Sequence, residues 1–406
     1  MEQRIVVSGM GIVSALGLGK ESTFQALCEG KSGIAKIQYL QTEHTQFPVG
    51  EVKLSNAEMM SMLNIKHGTP HTRSSLMGML AVQESFVGAG LNPAPTNRIA
   101  FINGVTVGGM DKTEQYYLDF LSNNSQDEYI AIHDCGACSE IIADYFGNLF
   151  NHVQTVSTAC SSAANAIMAG AMLLKSGRVD VVVAGGCECI TKFHLNGFNT
   201  LMILDSEPCK PFDANRQGIN LGEGAAYVVL ETEEHFLNRN SRNVPLAVLS
   251  GYANTCDAFH QTASSPDGEG AYLAMKQALE VAELQPSDID YINAHGTGTQ
   301  NNDSSESTAI SRVFGEKIPV VSSTKSFTGH ATSAAGGLEA VISILSLQNN
   351  FMPANLNFST KPDDLPFTPL VVGQHAAHPL KHILTNSFGF GGNNTSLIFS
   401  KYRNNE

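Results

Sequence analysis

Short apolar runs rich in valine and isoleucine alternate along the chain with longer segments of helical periodicity. This alternation is typical of strands joined by crossover helices, and it predicts parallel βα units. The first series of runs comprises residues 4–8, 99–103, 153–157, 180–184 and 226–231. The second series comprises residues 246–250, 290–293, 318–322, 382–386 and 396–400.

The two series follow the same order with comparable spacing, which indicates an internal duplication. Local similarities support it: AFINGVTVGG (100–109) resembles DYINAHGTGT (290–299). We therefore expect an α/β protein of two duplicated halves, residues 1–240 and 241–406, packed as a five-layered α/β/α/β/α body. The functional cleft is expected where the carboxyl ends of strands from both halves converge.

Charge and hydropathy narrow the class of protein. The 406 residues include 24 Lys and Arg against 38 Asp and Glu, a formal net charge of −14, which disfavours binding to nucleic acid. No run approaches the roughly 18 apolar residues of a membrane span. The opening MEQRIVVS (1–8) is too short an apolar run for a signal peptide. We expect no membrane span, a cytoplasmic location and reduced cysteines.

Cys160 lies at the junction between the strand run 153–157 and a helical pattern that ends at Gly177. A helix N-terminus presents unpaired N–H groups, which favour a thiolate and lower the pKa of a cysteine. The position predicts a nucleophile. The alternative is that Cys160 is a small buried hydrophobic residue, which is the commoner role of a free cysteine.

The second half supplies two histidines and a lysine at comparable positions. His295 follows a strand run inside a Gly- and Thr-rich loop, and Lys325 and His330 lie between the third run of that half and its helix. His330 thus occupies the position that corresponds to Cys160 in the first half. A thiol with two imidazoles provides a nucleophile with two donors or bases, as acyl-thioester chemistry requires.

Two further patterns are weaker. The CGAC (135–138) and CEC (187–189) segments could be combined into a four-thiolate metal site, but the second lacks the two-residue gap, and we expect no metal. GMGIVS (9–14) is similar to a dinucleotide-binding fingerprint, but Ser14 replaces the third glycine. We interpret this segment as a packed turn.

Five motifs in order resemble the β-ketoacyl-acyl-carrier-protein synthases, specifically the elongating type II condensing enzymes of the thiolase superfamily. They are TACSSA (158–163), NAHGTGT (293–299), SSTKSFTGH (322–330), GGLEA (336–340) and NSFGFGGNN (386–394). The resemblance implies a thiolase-like fold and a decarboxylative Claisen condensation. Its substrates would be malonyl and acyl groups carried by an acyl carrier protein.

The resemblance assigns roles at the reacting centre. Cys160 would accept the acyl group, and backbone N–H groups of Cys160 and Phe390 would form the oxyanion hole. His295 and His330 would hold the malonyl thioester carbonyl as carbon dioxide leaves. Lys325 would set the local field and orient His330.

Further roles follow from the same resemblance. Glu339 and Asp303 would be charge partners of Lys325, and Phe390 matches a gating phenylalanine. The substrate-binding set would place Thr297 and Thr299 on the phosphopantetheine arm. Val107, on the acyl pocket, and Phe388 complete that set.

The resemblance also implies partners and leaves alternatives open. We expect no organic cofactor beyond the pantetheine arm of the carrier protein, and a homodimer or a heterodimer with a ketosynthase-like partner. Lys66, Arg73 and Lys210 are the basic residues that could dock an acidic carrier. The small Val107 favours a specialised polyene or polyketide-like chain over ordinary fatty acids.

Two other classes of protein are alternatives for this sequence. A thiolase-type acyltransferase acting on coenzyme A would use a second catalytic cysteine near the C-terminus, where residues 386–394 contain none. The chain-length partner of a heterodimeric synthase lacks the nucleophile, whereas this chain retains Cys160.

Overall fold

The computed structural model describes residues 3–91, 98–123, 127–239 and 243–403. Its strands are β1 (Ile5–Ser14), β2 (Gly17–Leu18), β3 (Ile99–Gly104), β4 (His152–Val156), β5 (Val181–Glu188), β6 (Gly224–Thr232), β7 (Ala247–Cys256), β8 (Tyr291–Asn293), β9 (Val320–Ser322), β10 (Phe351–Met352), β11 (Gln374–His375), β12 (His382–Gly389) and β13 (Asn393–Ser400). Each of the ten apolar runs falls on a strand. The expected boundary between residues 240 and 241 lies outside the described residues.

The helices occupy the intervals between these strands. They are α1 (Lys20–Glu29), α2 (Asn56–Met62), α3 (Arg73–Ala89), α4 (Met110–Asn123), α5 (Asp127–Ile130), α6 (Cys135–Tyr145), α7 (Ser162–Lys175), α8 (Lys192–Thr200), α9 (Glu233–Asn238), α10 (Glu269–Ala282), α11 (Gln300–Phe314), α12 (Lys325–Thr328) and α13 (Ala335–Asn349). Within the described parts of the chain, none of them is long and apolar enough to cross a membrane.

The two halves repeat one strand order. The main sheet runs β4-β3-β5-β6-β1-β7-β13-β12-β8-β9. When the five principal strands of each half are counted along the chain, both halves have the order 3-2-4-5-1 from the outer edge to the junction. The halves meet where β1 pairs with β7 through Val6 and Val7. This shared order confirms the duplication.

The sheet is mixed, so the prediction of parallel units is only partly correct. β3 pairs in parallel with β4 and β5, and β8 pairs in parallel with β9 and β12. The strands nearest the junction, β6, β1, β7 and β13, pair antiparallel. A run of valines and isoleucines indicates that a strand is buried on both faces. It does not indicate whether the strand pairs parallel or antiparallel with its neighbours.

Helices α7 and α13 form the central layer of the five-layered body. They contact each other as well as strands of both halves, while α3 covers β1 and β6 and α10 covers β7 and β13. Residues 335–347 of α13 are all buried, as expected for a helix with sheets on both sides. A Cβ on Gly336 would lie 3.0 Å from the backbone nitrogen of Ala164, so glycine permits this close approach.

The GMGIVS segment is part of β1 and not the packed turn we expected. A Cβ on Gly9 would lie 2.2 Å from the carbonyl oxygen of Ser85, and one on Gly11 would lie 2.0 Å from that of Ala81. The glycines therefore allow α3 to pack directly on the strand.

Candidate active site

Residues from both halves line one cavity of about 410 Å³. The first half contributes Cys160 and Phe198, and the second half contributes His295, His330 and the 388–392 segment. The three side chains singled out for chemistry therefore share one cavity, although up to 170 positions separate Cys160 from the histidines in the sequence. The duplicated topology brings these loops together.

Cys160 sits in a tight turn between β4 and α7. Its neighbour Ala159 has a φ of 51°, in the left-handed region that non-glycine residues seldom adopt. The hydroxyl of Ser162 donates to the carbonyl of Ala159 at 2.7 Å, and the hydroxyl of Ser161 donates to the carbonyl of Thr158 at 2.7 Å. These bonds hold the turn, and Cys160 is 5% exposed.

The predicted lowering of the Cys160 pKa is wrong for the resting protein. Burial raises the pKa of the thiol to about 12, while the charge of Lys325 and a hydrogen bond from the Phe390 N–H act in the opposite direction. The turn places Cys160 before the helix in a closed interior, where loss of solvation outweighs the helix terminus. The Phe390 N–H already points at the sulfur, as an oxyanion donor would.

His295 is held by Lys325. The Lys325 ammonium lies 3.1 Å from Nδ1 of His295 and also donates to the His295 carbonyl. An ammonium is only a donor, so Nδ1 must accept, and the proton of the neutral ring lies on Nε2. Burial lowers the pKa of His295 well below its usual range, and the charges of Lys325 and His330 lower it further. The ring is therefore a neutral donor at pH 7.

His330 faces His295 edge to face, with ring centroids 5.3 Å apart. Burial also lowers the pKa of His330 well below its usual range, assisted by the charge of Lys325. The expectation that Lys325 orients His330 is not met, because the lysine bonds to His295 and Nδ1 of His330 has no hydrogen-bond partner within the described structure. The backbone of His330 is instead fixed by Asn220 and Gly222.

Of the two expected charge partners of Lys325, only Glu339 pairs with it. Burial raises the pKa of Glu339 to about 7, and the charge of Lys325 opposes that rise. Asp303 lies elsewhere: it accepts the backbone N–H groups of Thr297 and Phe212, and its nearest cation is Arg216 at 3.7 Å. Asp303 therefore shapes the loop after His295 and leaves Lys325 to Glu339.

Glu306 is a residue of the site that the motifs did not reveal. Its carboxylate accepts the backbone N–H groups of His295 at 2.8 Å and of Gly296 at 2.7 Å. Asn386 donates to the same carboxylate at 3.0 Å. The only sequence signal was its position on α11, one turn after Asp303. It ties the His295 loop to β12.

The two threonines and Val107 differ in position. Thr297 and Thr299 line the cavity, and their hydroxyl oxygens are 2.9 Å apart. Thr299 also caps α11 by accepting the N–H of Asn302. Val107 is buried but lies outside the lining of this cavity, so its contact with the acyl chain stays a prediction.

Three phenylalanines are among the residues that line the cavity. The ring of Phe388 lies 5.6 Å from that of His295. Phe390 stacks on Phe198 of α8, with centroids 5.9 Å apart and planes inclined by 22°. The sequence did not single out Phe198, because only folding brings α8 against the 388–392 segment. The stack would hold Phe390 in place.

Other candidate residues have structural surroundings. The sulfurs of Cys138 and Cys187 are 3.8 Å apart in the core, and the described residues contain no group of three His, Cys, Asp or Glu side chains that could hold a metal. Arg73 cannot serve as a docking residue, because it is buried and its guanidinium pairs with Glu223 at 2.6 Å. Lys66 is exposed and Lys210 is partly exposed.

A thiol beside two neutral imidazoles, at the meeting of two duplicated α/β halves, defines a condensing enzyme of thiolase-like fold. Residues 2–235 match the family model described as the N-terminal domain of beta-ketoacyl synthase, and residues 246–359 match that of its C-terminal domain. The chain belongs to the beta-ketoacyl synthase family and is an acyltransferase.

Individual relatives cover nearly the whole chain. It is 34% identical to nodulation protein E of Rhizobium meliloti (strain 1021), over 99% of this chain and all of that protein. It is 32% identical to 3-oxoacyl-[acyl-carrier-protein] synthase 2 of Staphylococcus aureus (strain COL), over 98% of this chain and 99% of that one. The solved ishigamide ketosynthase/chain length factor superposes with a TM-score of 0.92 at 29% identity, over 99% of this chain and 100% of that one.

Proposed function

We propose that this chain condenses a malonyl group with an acyl group held on Cys160, both delivered by an acyl carrier protein, to give a 3-oxoacyl product. The observation that carries the proposal is the common cavity of Cys160, His295 and His330, in which both rings are neutral. A neutral imidazole can donate a hydrogen bond from its N–H group to the enolate oxygen, and this bond stabilises the enolate.

The first half-reaction transfers the acyl group. The sulfur of Cys160 attacks the carrier thioester, the carbon–sulfur bond to the pantetheine arm breaks, and the carrier thiol leaves with the proton of Cys160. The negative oxygen that forms on attack would be stabilised by the Phe390 N–H, which lies at the sulfur. Because the resting thiol is protonated, attack requires proton removal as the arm enters.

The second half-reaction forms the carbon–carbon bond. Malonyl carrier protein enters with its thioester carbonyl against His295 and His330. The bond to the carboxylate breaks, carbon dioxide leaves, and the electron pair becomes an enolate that the imidazole N–H groups stabilise. The enolate carbon attacks the acyl-Cys160 thioester, the bond between the acyl carbon and the sulfur breaks, and the sulfur takes up a proton from water. Lys325 keeps the His295 proton on Nε2 throughout, because it occupies Nδ1.

Assembly with a second subunit is part of the proposal. β4 is an outer strand of the sheet, and its first three residues are exposed, including Val153 at 37%. An exposed strand edge is a template for pairing with another chain. The partner in this pairing could be a second copy of the chain or a different chain. The similarity to a ketosynthase/chain length factor supports the second of these, a heterodimer.

The oligomeric state can be tested by light scattering on the purified chain. A mass of twice 43.4 kDa that falls to the monomer in Val153→Lys supports a homodimer through β4. A chain that stays monomeric alone, and pairs only when a ketosynthase-like partner is co-expressed, supports the heterodimer. A dimer unaffected by Val153→Lys contradicts the β4 edge as the contact.

The catalytic proposal is tested by incubating the protein with acyl carrier proteins of graded chain length. Mass spectrometry should locate the acyl group on Cys160, and addition of malonyl carrier protein should release a 3-oxoacyl product. His330→Ala should retain the Cys160 adduct and lose condensation. An adduct on another residue, or condensation by His330→Ala at the normal rate, contradicts the proposal.

A further inference from the structure

The turn that follows His330 has an unfavourable backbone conformation. Thr332 has a φ of 43°, in the left-handed region that β-branched residues rarely adopt, and its hydroxyl is buried without a described partner. Such a conformation persists only where surrounding contacts impose it. The position of His330 therefore depends on what holds residues 331–334, in addition to its own backbone bonds to Asn220 and Gly222.

Glu188, in the other half of the chain, holds this turn in place. Ser333 donates its hydroxyl to Oε2 of Glu188 at 2.6 Å. The same oxygen accepts the backbone N–H of Thr106 at 2.9 Å and the hydroxyl of Thr106. One carboxylate oxygen thus joins the His330 turn to the loop that contains Val107.

Burial of a carboxylate costs free energy, because the charge loses its solvation by water. Glu188 is fully buried at the end of β5, and no described basic side chain lies within ion-pair distance of it. Burial raises the pKa of Glu188 to about 7, against the hydrogen bonds of Ser333 and Thr106. Its Oε2 accepts the Ser333 hydroxyl as well as the hydroxyl and backbone N–H of Thr106, which suits the anchoring of a strained turn.

We propose that Glu188 is a positioning residue for the decarboxylation step, acting through Ser333 to hold His330 against the malonyl thioester. This inference rests on the proposed function. The turn that positions Cys160 is held by hydrogen bonds of Ser161 and Ser162, and the Glu188–Ser333 bond is not part of it. The two half-reactions should therefore respond differently when the bond is removed.

The test separates the two half-reactions in Ser333→Ala. Acylation of Cys160, measured by mass spectrometry, should stay within about twofold of wild type, while release of carbon dioxide from malonyl carrier protein should fall at least tenfold, because small displacements of a catalytic group are costly. The matched control is Ser346→Ala, which removes a buried hydroxyl without a described partner from α13. That control should leave both rates unchanged.

A second pair of variants covers the case in which Ser333→Ala does not fold. Glu188→Gln retains an acceptor oxygen and should lose less than about threefold in decarboxylation, whereas the similarly sized Glu188→Leu retains none and should lose at least tenfold. Equal losses in acylation and decarboxylation, or equal losses in the Gln and Leu variants, overturn the positioning role. A folded wild-type chain that releases no carbon dioxide refutes the proposed function itself, whereas an active wild type with an unaffected Ser333→Ala refutes the positioning role alone.

Discussion

The ammonium of Lys325 lies 3.1 Å from Nδ1 of His295, and the same ammonium pairs with Glu339. This contact fixes the proton of the neutral imidazole on Nε2. Lys325, His295 and Glu339 thus form one buried chain. Burial lowers the pKa of His295 and raises that of Glu339, and the charge of Lys325 lowers both.

Lys325→Met should abolish most decarboxylation. His295 then loses the donor that fixes its tautomer, and we expect a loss of roughly 100-fold, comparable to removal of an oxyanion donor. Glu339 is left as an unpaired buried charge, so the free energy of unfolding should fall by about 3–5 kcal/mol. Carbon dioxide release and urea denaturation measure the two effects.

The control for that experiment is the double variant Lys325→Met with Glu339→Gln. Neutralising Glu339 should restore much of the stability and none of the activity. Recovery of decarboxylation in the double variant would show that the contact with His295 is dispensable.

Alkylation of Cys160 should accelerate steeply with pH. Because burial raises the pKa of the thiol to about 12, the reactive thiolate fraction increases nearly tenfold per pH unit throughout the range from 7 to 9. Peptide-resolved mass spectrometry with iodoacetamide measures the rate at Cys160 separately from the exposed Cys28. A plateau below pH 8 would reveal a thiolate stabilised in the resting protein.

If Phe390 is the gate that the resemblance implies, Phe198→Ala should make it easier to open. An aromatic pair contributes about 0.5–1.5 kcal/mol beyond its buried area, so acylation limited by gate opening should accelerate about two- to tenfold. Stopped-flow acylation measures this rate. The control is Phe193→Ala on the same helix, whose ring is 55% exposed. An unchanged rate in Phe198→Ala would show that the stack does not restrain Phe390.

Val107→Phe tests the expected acyl pocket. If the acyl chain passes Val107 when Phe390 moves, the larger ring should shorten the longest chain that is accepted, at a cost in stability of about 1–3 kcal/mol from overpacking. Product chain lengths from a mixture of acyl carrier proteins measure the effect. An unchanged distribution in a folded variant removes Val107 from the substrate-binding set.

Glu188 should make the stability of the protein depend on pH. Its pKa is raised in the folded state to about 7 from an ordinary value of 4.5, so the folded state binds the proton more tightly. Stability is therefore lost as the pH rises from about 4.5 to about 7, by about 3 kcal/mol, and is level above that range. Urea denaturation of Glu188→Gln should lack this component, and an identical pH profile would contradict the assignment.

The strands and the candidate reacting residues were recognisable from local sequence. Buried strands favour apolar residues such as valine and isoleucine, and short runs rich in such residues marked all ten principal strands. Cys160, His295, His330 and Lys325 stand at strand ends inside motifs with glycine and small residues, where backbone can approach a ligand. Both kinds of signal are carried by neighbours in the chain, so no tertiary information is needed to recognise them.

The contacts between those residues were decided by the tertiary structure. The family resemblance implied that Lys325 orients His330, five positions away, but the side chain reaches His295 instead. The pKa of Cys160 likewise follows from burial between the two halves and not from its position beside a helix. Side-chain direction and loss of solvation depend on elements that are distant in the chain, and no local pattern records them.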